Sequence, residues 1–163
     1  MSQISPQNNK VYILDTSILI GFANWLPFKY HKQFWDKITI ALENGQWVLL
    51  DIVVNEITYP KELKDWCSDQ RKKGLVKKID QADQNRGIAI NNQYPMIDPT
   101  SFKSENDTYI IAYAERNNLK IISAESSKKP LDKLFKIPDT CYLLGVESTR
   151  KIEYFLADIK YTP

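Results

Sequence analysis

Four acids in this chain could do chemistry together: Asp15, Glu56, Asp107 and Glu125. Asp15 closes the apolar run Val11-Tyr12-Ile13-Leu14, and Glu125 stands two residues beyond the run Leu119 to Ser123. If both runs are strands of one parallel sheet, the two carboxylates share its edge. Glu56 lies four and three positions after Ile52 and Val53, and Asp107 lies three, four and seven before Ile110, Ile111 and Ala114. At helical spacing each acid points the same way as an inward apolar face. Carboxylates gathered in one pocket repel unless some are protonated or a cation sits among them. A donor set of oxygens without histidine or cysteine suits a hard ion, Mg²⁺ or Mn²⁺. Such ions serve phosphate chemistry, where bound water can act as the nucleophile and no histidine base is required.

Other chemistries are excluded by what the chain lacks. His31 is its one histidine, so sites that need two are ruled out. Cys67 and Cys141 form no Cys-x-x-Cys pair, which removes zinc ribbons and dithiol redox sites and leaves both as small buried thiols. The five glycines never fall in a nucleotide-binding order. A net charge of +2 is compatible with a polyanionic partner without requiring one.

The elements that must position the acids are legible as short apolar runs alternating with helical patterns. Val11 to Leu14, Trp47 to Leu50 and Leu119 to Ser123 are predicted strands, with a fourth at Val146 to Ser148. Helices are predicted from Ile18, over Lys29 to Asn44 with Gly45 as the left-handed stop, over Ile52 to Ile57 with Asp51 near the cap, over Glu105 to Asn118, after Pro138, and near Lys151 to Asp158. The stretch 59–94 reads as a helical insert with one buried stripe rather than a separate domain, and 94–99 as a loop. The expected fold is a three-layer α/β/α sandwich with a mainly parallel sheet, one domain over residues 1–163. In such folds function gathers at the carboxyl ends of the strands. The longest apolar stretch, Trp47 to Val54, carries Asp51 and is far short of a membrane span, and the polar start of the chain has no secretory core, so a cytoplasmic protein is expected.

With these residues in place, the chain resembles a PIN domain, the metal-dependent ribonuclease fold of many toxin-antitoxin toxins. The resemblance rests on Tyr12 to Leu19 with its Asp15-Thr16-Ser17, on Val53 to Ile57, on Asn106 to Ala114, and on Ile121 to Glu125. Lys136 to Cys141 followed by Gly145-Val146 is further similar to a PIN-like family of largely unknown function in bacteria and phages. The resemblance implies that Asp15, Glu56 and Asp107 are metal-site acids, Glu125 the fourth, and Ser17 a supporting hydroxyl. It also implies an RNA substrate, a Mg²⁺ or Mn²⁺ cofactor, and, because such toxins are often dimers blocked by a partner, an antitoxin and a homodimer. Two departures stand out: Ser123-Ala124-Glu125 replaces a Thr-x-Asp pattern after the third strand, and the insert is larger than a minimal toxin needs.

Simpler roles compete for the same residues. Ser104-x-x-Asp107 has the form of a capping box, Glu56 and Glu125 taken singly fit a surface glutamate and a loop acid, and Asp51 and Asp139 fit helix caps. Arg71, Lys72, Lys73, Lys77 and Lys78, and Lys128, Lys129, Lys133 and Lys136, are candidate phosphate contacts, Lys128 and Lys129 the better ones because they follow Glu125, while a solvated face is the favoured reading of both groups. Trp25, Trp35, Trp47 and Trp66 mostly fit buried stripes. The alternative function is a non-catalytic PIN-like module that binds RNA or protein through the same rim.

Overall fold

Short apolar segments separated by amphipathic helices fold into a five-stranded sheet in which each of the four strand pairings is parallel. The structure is a computed structural model and describes residues 10–126 and 134–162. Along the chain run β1 (Tyr12–Leu14), α1 (Thr16–Trp25), α2 (Lys32–Glu43), β2 (Trp47–Leu50), α3 (Asp51–Glu56), α4 (Lys61–Lys72) and β3 (Val76–Lys77). Then come α5 (Gln81–Gln93), α6 (Glu105–Asn117), β4 (Lys120–Ile122), α7 (Ile137–Leu144), β5 (Ser148–Thr149) and α8 (Glu153–Asp158). Strand interiors are apolar on both faces, with Ile13, Leu50, Ile121 and Ile122 fully buried. A strand buried on both faces needs helices on both sides, which makes the α/β/α sandwich.

The strand order β3-β2-β1-β4-β5 decides where a site can form. The chain steps outward from β1 to β3, then returns to the other side of β1 to lay down β4 and β5. Right-handed crossovers then put α1 to α4 over one face and α5 to α7 over the other. The packing agrees: α1, α3 and α4 touch one another, as do α5 with α6 and α6 with α7. The direction reverses between β1 and β4, and the crevice beyond their carboxyl ends is the switch point at which doubly wound sheets bind ligands. Among the described residues no helix is long and apolar enough to cross a membrane.

The aromatic residues anchor the α1 to α4 layer to the sheet. Trp47 of β2 stacks on Trp66 of α4 at 6.1 Å, and Trp66 meets Trp35 of α2 edge-on at 5.5 Å. Each indole N–H is satisfied, Trp47 by Ile38 O at 3.0 Å, Trp35 by Leu26 O at 2.7 Å and Trp66 by Thr39 Oγ1 at 3.0 Å. Trp25 departs from the expected pattern: at the last position of α1 its side chain is 72% exposed.

Several boundaries differ from expectation, each for a local reason. α2 starts at Lys32 because Tyr30 and His31 donate their backbone N–H to Pro27 O and turn the chain before the helix. Asp51 is inside α3 rather than its cap; its Oδ1 accepts from Ile52 N at 2.8 Å. The last strand is Ser148–Thr149, two residues later than the apolar Val146 suggests, with Gly145 at φ +72° closing α7 as expected. The stretch 59–94 is not purely helical. It contains β3, which pairs Val76 with Leu49 and Lys77 with Leu50 and extends the sheet beyond β2.

The remainder of that stretch grips α6. Asp80 and Asp83 close a reciprocal cap at the start of α5, Asp83 N donating to Asp80 Oδ1 at 2.8 Å and Asp80 N to Asp83 Oδ2 at 2.9 Å. Arg116 of α6 pairs with both acids, and Arg86 of α5 holds Glu115 with two hydrogen bonds, of 2.6 and 2.9 Å. Between these ties the helices approach closely at Gly87, where a Cβ would lie 2.6 Å from Tyr109 Cδ1. Gly87→Ala is therefore expected to destabilise the protein by about 1–3 kcal/mol, read as a lower Tm. Adding Tyr109→Ala should recover most of that loss, since the clash is with that ring; a double variant no better than Gly87→Ala would show that the helix spacing has another cause.

Candidate functional site

The parallel sheet delivers two acids to the switch point directly. Asp15 follows β1, its N–H donating to Ile122 O of β4 at 3.0 Å, so the residue is locked between the two strands that flank the crevice. Its side chain is buried, 6% exposed, and Oδ2 accepts from Ser17 Oγ at 2.9 Å and from Ser123 Oγ at 3.2 Å. Ser123 Oγ in turn accepts from Glu125 N at 3.2 Å, which places the Glu125 backbone beside Asp15. Glu125 is half-buried, and its Oε2 accepts from Ile137 N at 2.9 Å at the first turn of α7.

Helix direction brings the other two. Because α6 leads into a parallel strand, it begins at the carboxyl edge of the sheet, with Asp107 in its first turn. Asn106 beside it reaches across the rim, donating Nδ2 to Ile52 O at 3.5 Å and to Glu56 Oε1. Glu56, exposed at the end of α3, is thereby tied to the start of α6, and the two helical layers are joined over the crevice.

The electrostatics show these acids facing one another. Burial pushes the Asp107 carboxyl up to about 8, with the charges of Asp15, Glu125 and Glu56 adding to the rise in that order and a hydrogen bond from Ser104 opposing it. Burial likewise pushes Asp15 up to about 6; Glu125 adds to the shift, while Ser17, Ser123 and the Thr16 backbone hold it down. The capping role proposed for Asp107 is incomplete: Ser104 sits at the N-cap with φ +72°, makes no side-chain cap, and no capping box closes.

All four predicted acids and Ser17 thus belong to one neighbourhood. Lys128 and Lys129 lie outside the described residues. Among the described residues no three acid, histidine or cysteine side chains already stand close enough to cage a metal. The donor chemistry nevertheless fits a hard cation: every group is an oxygen, Asp15 is buried and Asp107 half-buried, and each of those two is raised partly by another carboxylate. The hydrogen bonds of Ser104, Asn106 and Ser123 to the acids are not readable from the sequence. Their signal was only adjacency, since each polar residue stands within three positions of a candidate acid.

A family model described as "Domain of unknown function (DUF4411)" matches residues 12–160, which takes in β1 through α8 and all four acids. No curated protein matches the chain.

The raised carboxyls fix the sign of a pH effect. Folded Asp107 keeps its proton up to about pH 8, whereas an unfolded aspartate loses it near about pH 4. Between those values the folded state holds the extra proton, so stability falls as pH rises through the window and is flat above it. In EDTA, Asp107→Asn is expected to raise Tm by a few degrees at pH 8.5 and to match the wild type near pH 4. Saturating Mn²⁺ should reverse the order by stabilising the wild type alone. A variant that melts well below the wild type at pH 8.5 in EDTA would assign Asp107 to helix capping instead.

Proposed function

We propose that this chain, which belongs to the family described as "Domain of unknown function (DUF4411)", is a PIN-like, metal-dependent endoribonuclease that hydrolyses RNA phosphodiester bonds. The observation that carries the reading is the gathering of Asp15, Glu56, Asp107 and Glu125 at the switch point of a parallel sheet, where burial raises Asp15 and Asp107 and the charges of neighbouring carboxylates raise them further. Acids held where burial and neighbouring carboxylates oppose their ionisation make sense where a cation relieves them. The ordered set Asp15, Glu56, Asp107 and Glu125, with its resemblance to PIN domains, supplies the reaction class.

On this reading Asp15 and Asp107 hold Mg²⁺ or Mn²⁺, with Glu56 and Glu125 as outer partners. Such a cation supplies a polarised water and neutralises charge on phosphate. The chain's own residues do the positioning. Ser17 and Ser123 fix the Asp15 carboxylate, Asn106 aims Glu56 toward the start of α6, and the Ile137 amide holds Glu125. The buried, free thiols of Cys67 and Cys141 suit a reducing cytoplasm. An antitoxin and a homodimer belong to the same proposal through the resemblance.

The second reading, a non-catalytic module that binds RNA or protein, is favoured by one observation: no three of the acids stand ready to cage a metal among the described residues. The two readings separate in one experiment. The purified protein is incubated with a fluorogenic RNA panel in Mg²⁺, Mn²⁺ or EDTA, beside Asp15→Asn and Asp107→Asn prepared identically to expose contaminating nuclease. Cleavage is expected only with metal, is expected to fall to background in both variants, and is expected to drop roughly 10–100-fold in Ser17→Ala through a loosened Asp15. Carboxylate-dependent Mn²⁺ binding without cleavage would establish the binding module.

A further inference from the structure

A cavity of about 440 Å³ opens beside the acids, lined by Met96, Asp98, Lys103, Ser104, Glu125, Leu134, Phe135 and Lys136. Glu125 is one of the acids, and Ser104 hydrogen-bonds Asp107, so the cavity is continuous with the candidate centre. Resting on the ribonuclease reading, we infer that it is the subsite for the nucleotide next to the phosphate held at the carboxylates. The base lies against Leu134 and Phe135, and the neighbouring phosphate rests on Lys103 and Lys136.

The wall is apolar and fixed. Met96 is 1% exposed; Phe135 donates its N–H to Pro95 O at 2.8 Å and presents its ring edge-on to Tyr94 at 5.6 Å. Leu134 is exposed on the cavity side of the same segment. The two carboxylates in the lining are already engaged. Asp98 accepts from Thr100 N at 2.8 Å and Thr100 Oγ1 at 2.7 Å, and Glu125 Oε2 accepts from Ile137 N at 2.9 Å. The two ammonium groups are free by comparison: both lysines are exposed, and among the described residues neither is in an ion pair. Their backbones are nonetheless pinned, Lys103 O by Asp98 N at 3.3 Å and Lys136 N by Asp139 Oδ2 at 3.1 Å.

An apolar wall with two cations at its rim, opening on a phosphate-reactive edge, suits a nucleotide better than a bare phosphate, which has nothing to place on the wall. The volume falls in the roughly 300–1,000 Å³ range of small-ligand pockets, which is room for one nucleotide. A base can enter only if it is unstacked, so the subsite selects single-stranded RNA over duplex.

The test measures binding and contact rather than turnover. The full chain carrying Asp107→Asn, which prevents cleavage, is titrated by fluorescence anisotropy with a short single-stranded RNA whose uridines are 4-thiouridine. Lys103→Ala and Lys136→Ala are added singly, with Lys37→Ala on α2 as a remote control. Each of the first two should weaken binding about tenfold and lower the salt slope by about one, and Lys37→Ala should do neither. Irradiation should crosslink the RNA to Met96 or to residues 134–136, and duplex RNA of the same sequence should not crosslink there. RNA binding with lysine effects no larger than the control's and crosslinks confined to other peptides overturns the subsite and leaves the ribonuclease reading standing. No RNA binding at all, together with no metal-dependent cleavage by the wild type, removes both.

Discussion

The withdrawal of carboxylates from water at one edge of the sheet, with further carboxylates beside them, is the constraint around which the rest of the molecule is organised. Asp15 and Asp107 come from opposite helical layers to the ends of β1 and β4; burial makes both costly to ionise, Asp15 and Glu125 add to the cost at Asp107, and Glu125 adds to it at Asp15. Left free, such groups would move apart into water. Here each is held by contacts that do not depend on its charge: Asp15 by a backbone bond to Ile122, Asp107 by the start of a helix clamped along its length. The clamp explains the size of the segment between α3 and α6. Its Arg116 and Arg86 pairings and the close approach at Gly87 keep α6 from sliding, so the acid at its first turn cannot retreat from the crevice. Carboxylates held this way cost the fold stability, the trade that goes with groups placed where stability alone would not choose.

Stability is supplied at a distance from the rim. The indoles of Trp35, Trp47 and Trp66 and the ring of Phe155 bury large areas, and Tyr12 both packs edge-on to Phe155 and donates its hydroxyl to Asp158 of α8. Aromatic pairs of this kind gain packing energy beyond their buried area. Because these contacts join α2, α4 and α8 to β1 and β2, they hold the sheet while the carboxyl edge carries the unfavourable charges. The division of labour follows from parallel topology: every strand points its end the same way, so one edge can be sacrificed to function without weakening the core.

Much of this was legible in the sequence, and the reason differs by element. The α/β fold followed from Val11 to Leu14, Trp47 to Leu50 and Leu119 to Ser123, since short apolar runs between amphipathic helices have few other solutions. Asp15 and Asp107 were legible because each interrupts a pattern, one ending a strand and one standing on an inward face. β3 was not, since two residues cannot show alternation and Val76-Lys77 lies in a polar stretch. Trp25 misled because periodicity gives a face and not a distance: at the end of α1 the face runs past the sheet. The roles of Ser123 and Asn106 were not legible for another reason. A serine closing a strand and an asparagine in a first turn are ordinary, and only their partners, Asp15 Oδ2 and Glu56 Oε1, give them a role.

The four acids are not equivalent, and the difference lies in what each already touches. Glu56 and Glu125 spend an oxygen on protein donors, Asn106 Nδ2 and Ile137 N, which fix their orientation and offset part of their charge. Asp107 has only the opposing hydrogen bond from Ser104 against burial and three neighbouring charges, and no capping box claims it. A cation entering the crevice therefore gains most from Asp107, whose ionised form the protein otherwise resists, and next from Asp15, already aligned by two hydroxyls. If a cation enters, the glutamates, longer and anchored at their tips, are the groups placed to meet what surrounds it, its waters or a phosphate, without turning away from their amide donors. On the ribonuclease reading this ordering makes the two aspartates the direct ligands and places the substrate on the Glu125 side, where the cavity opens.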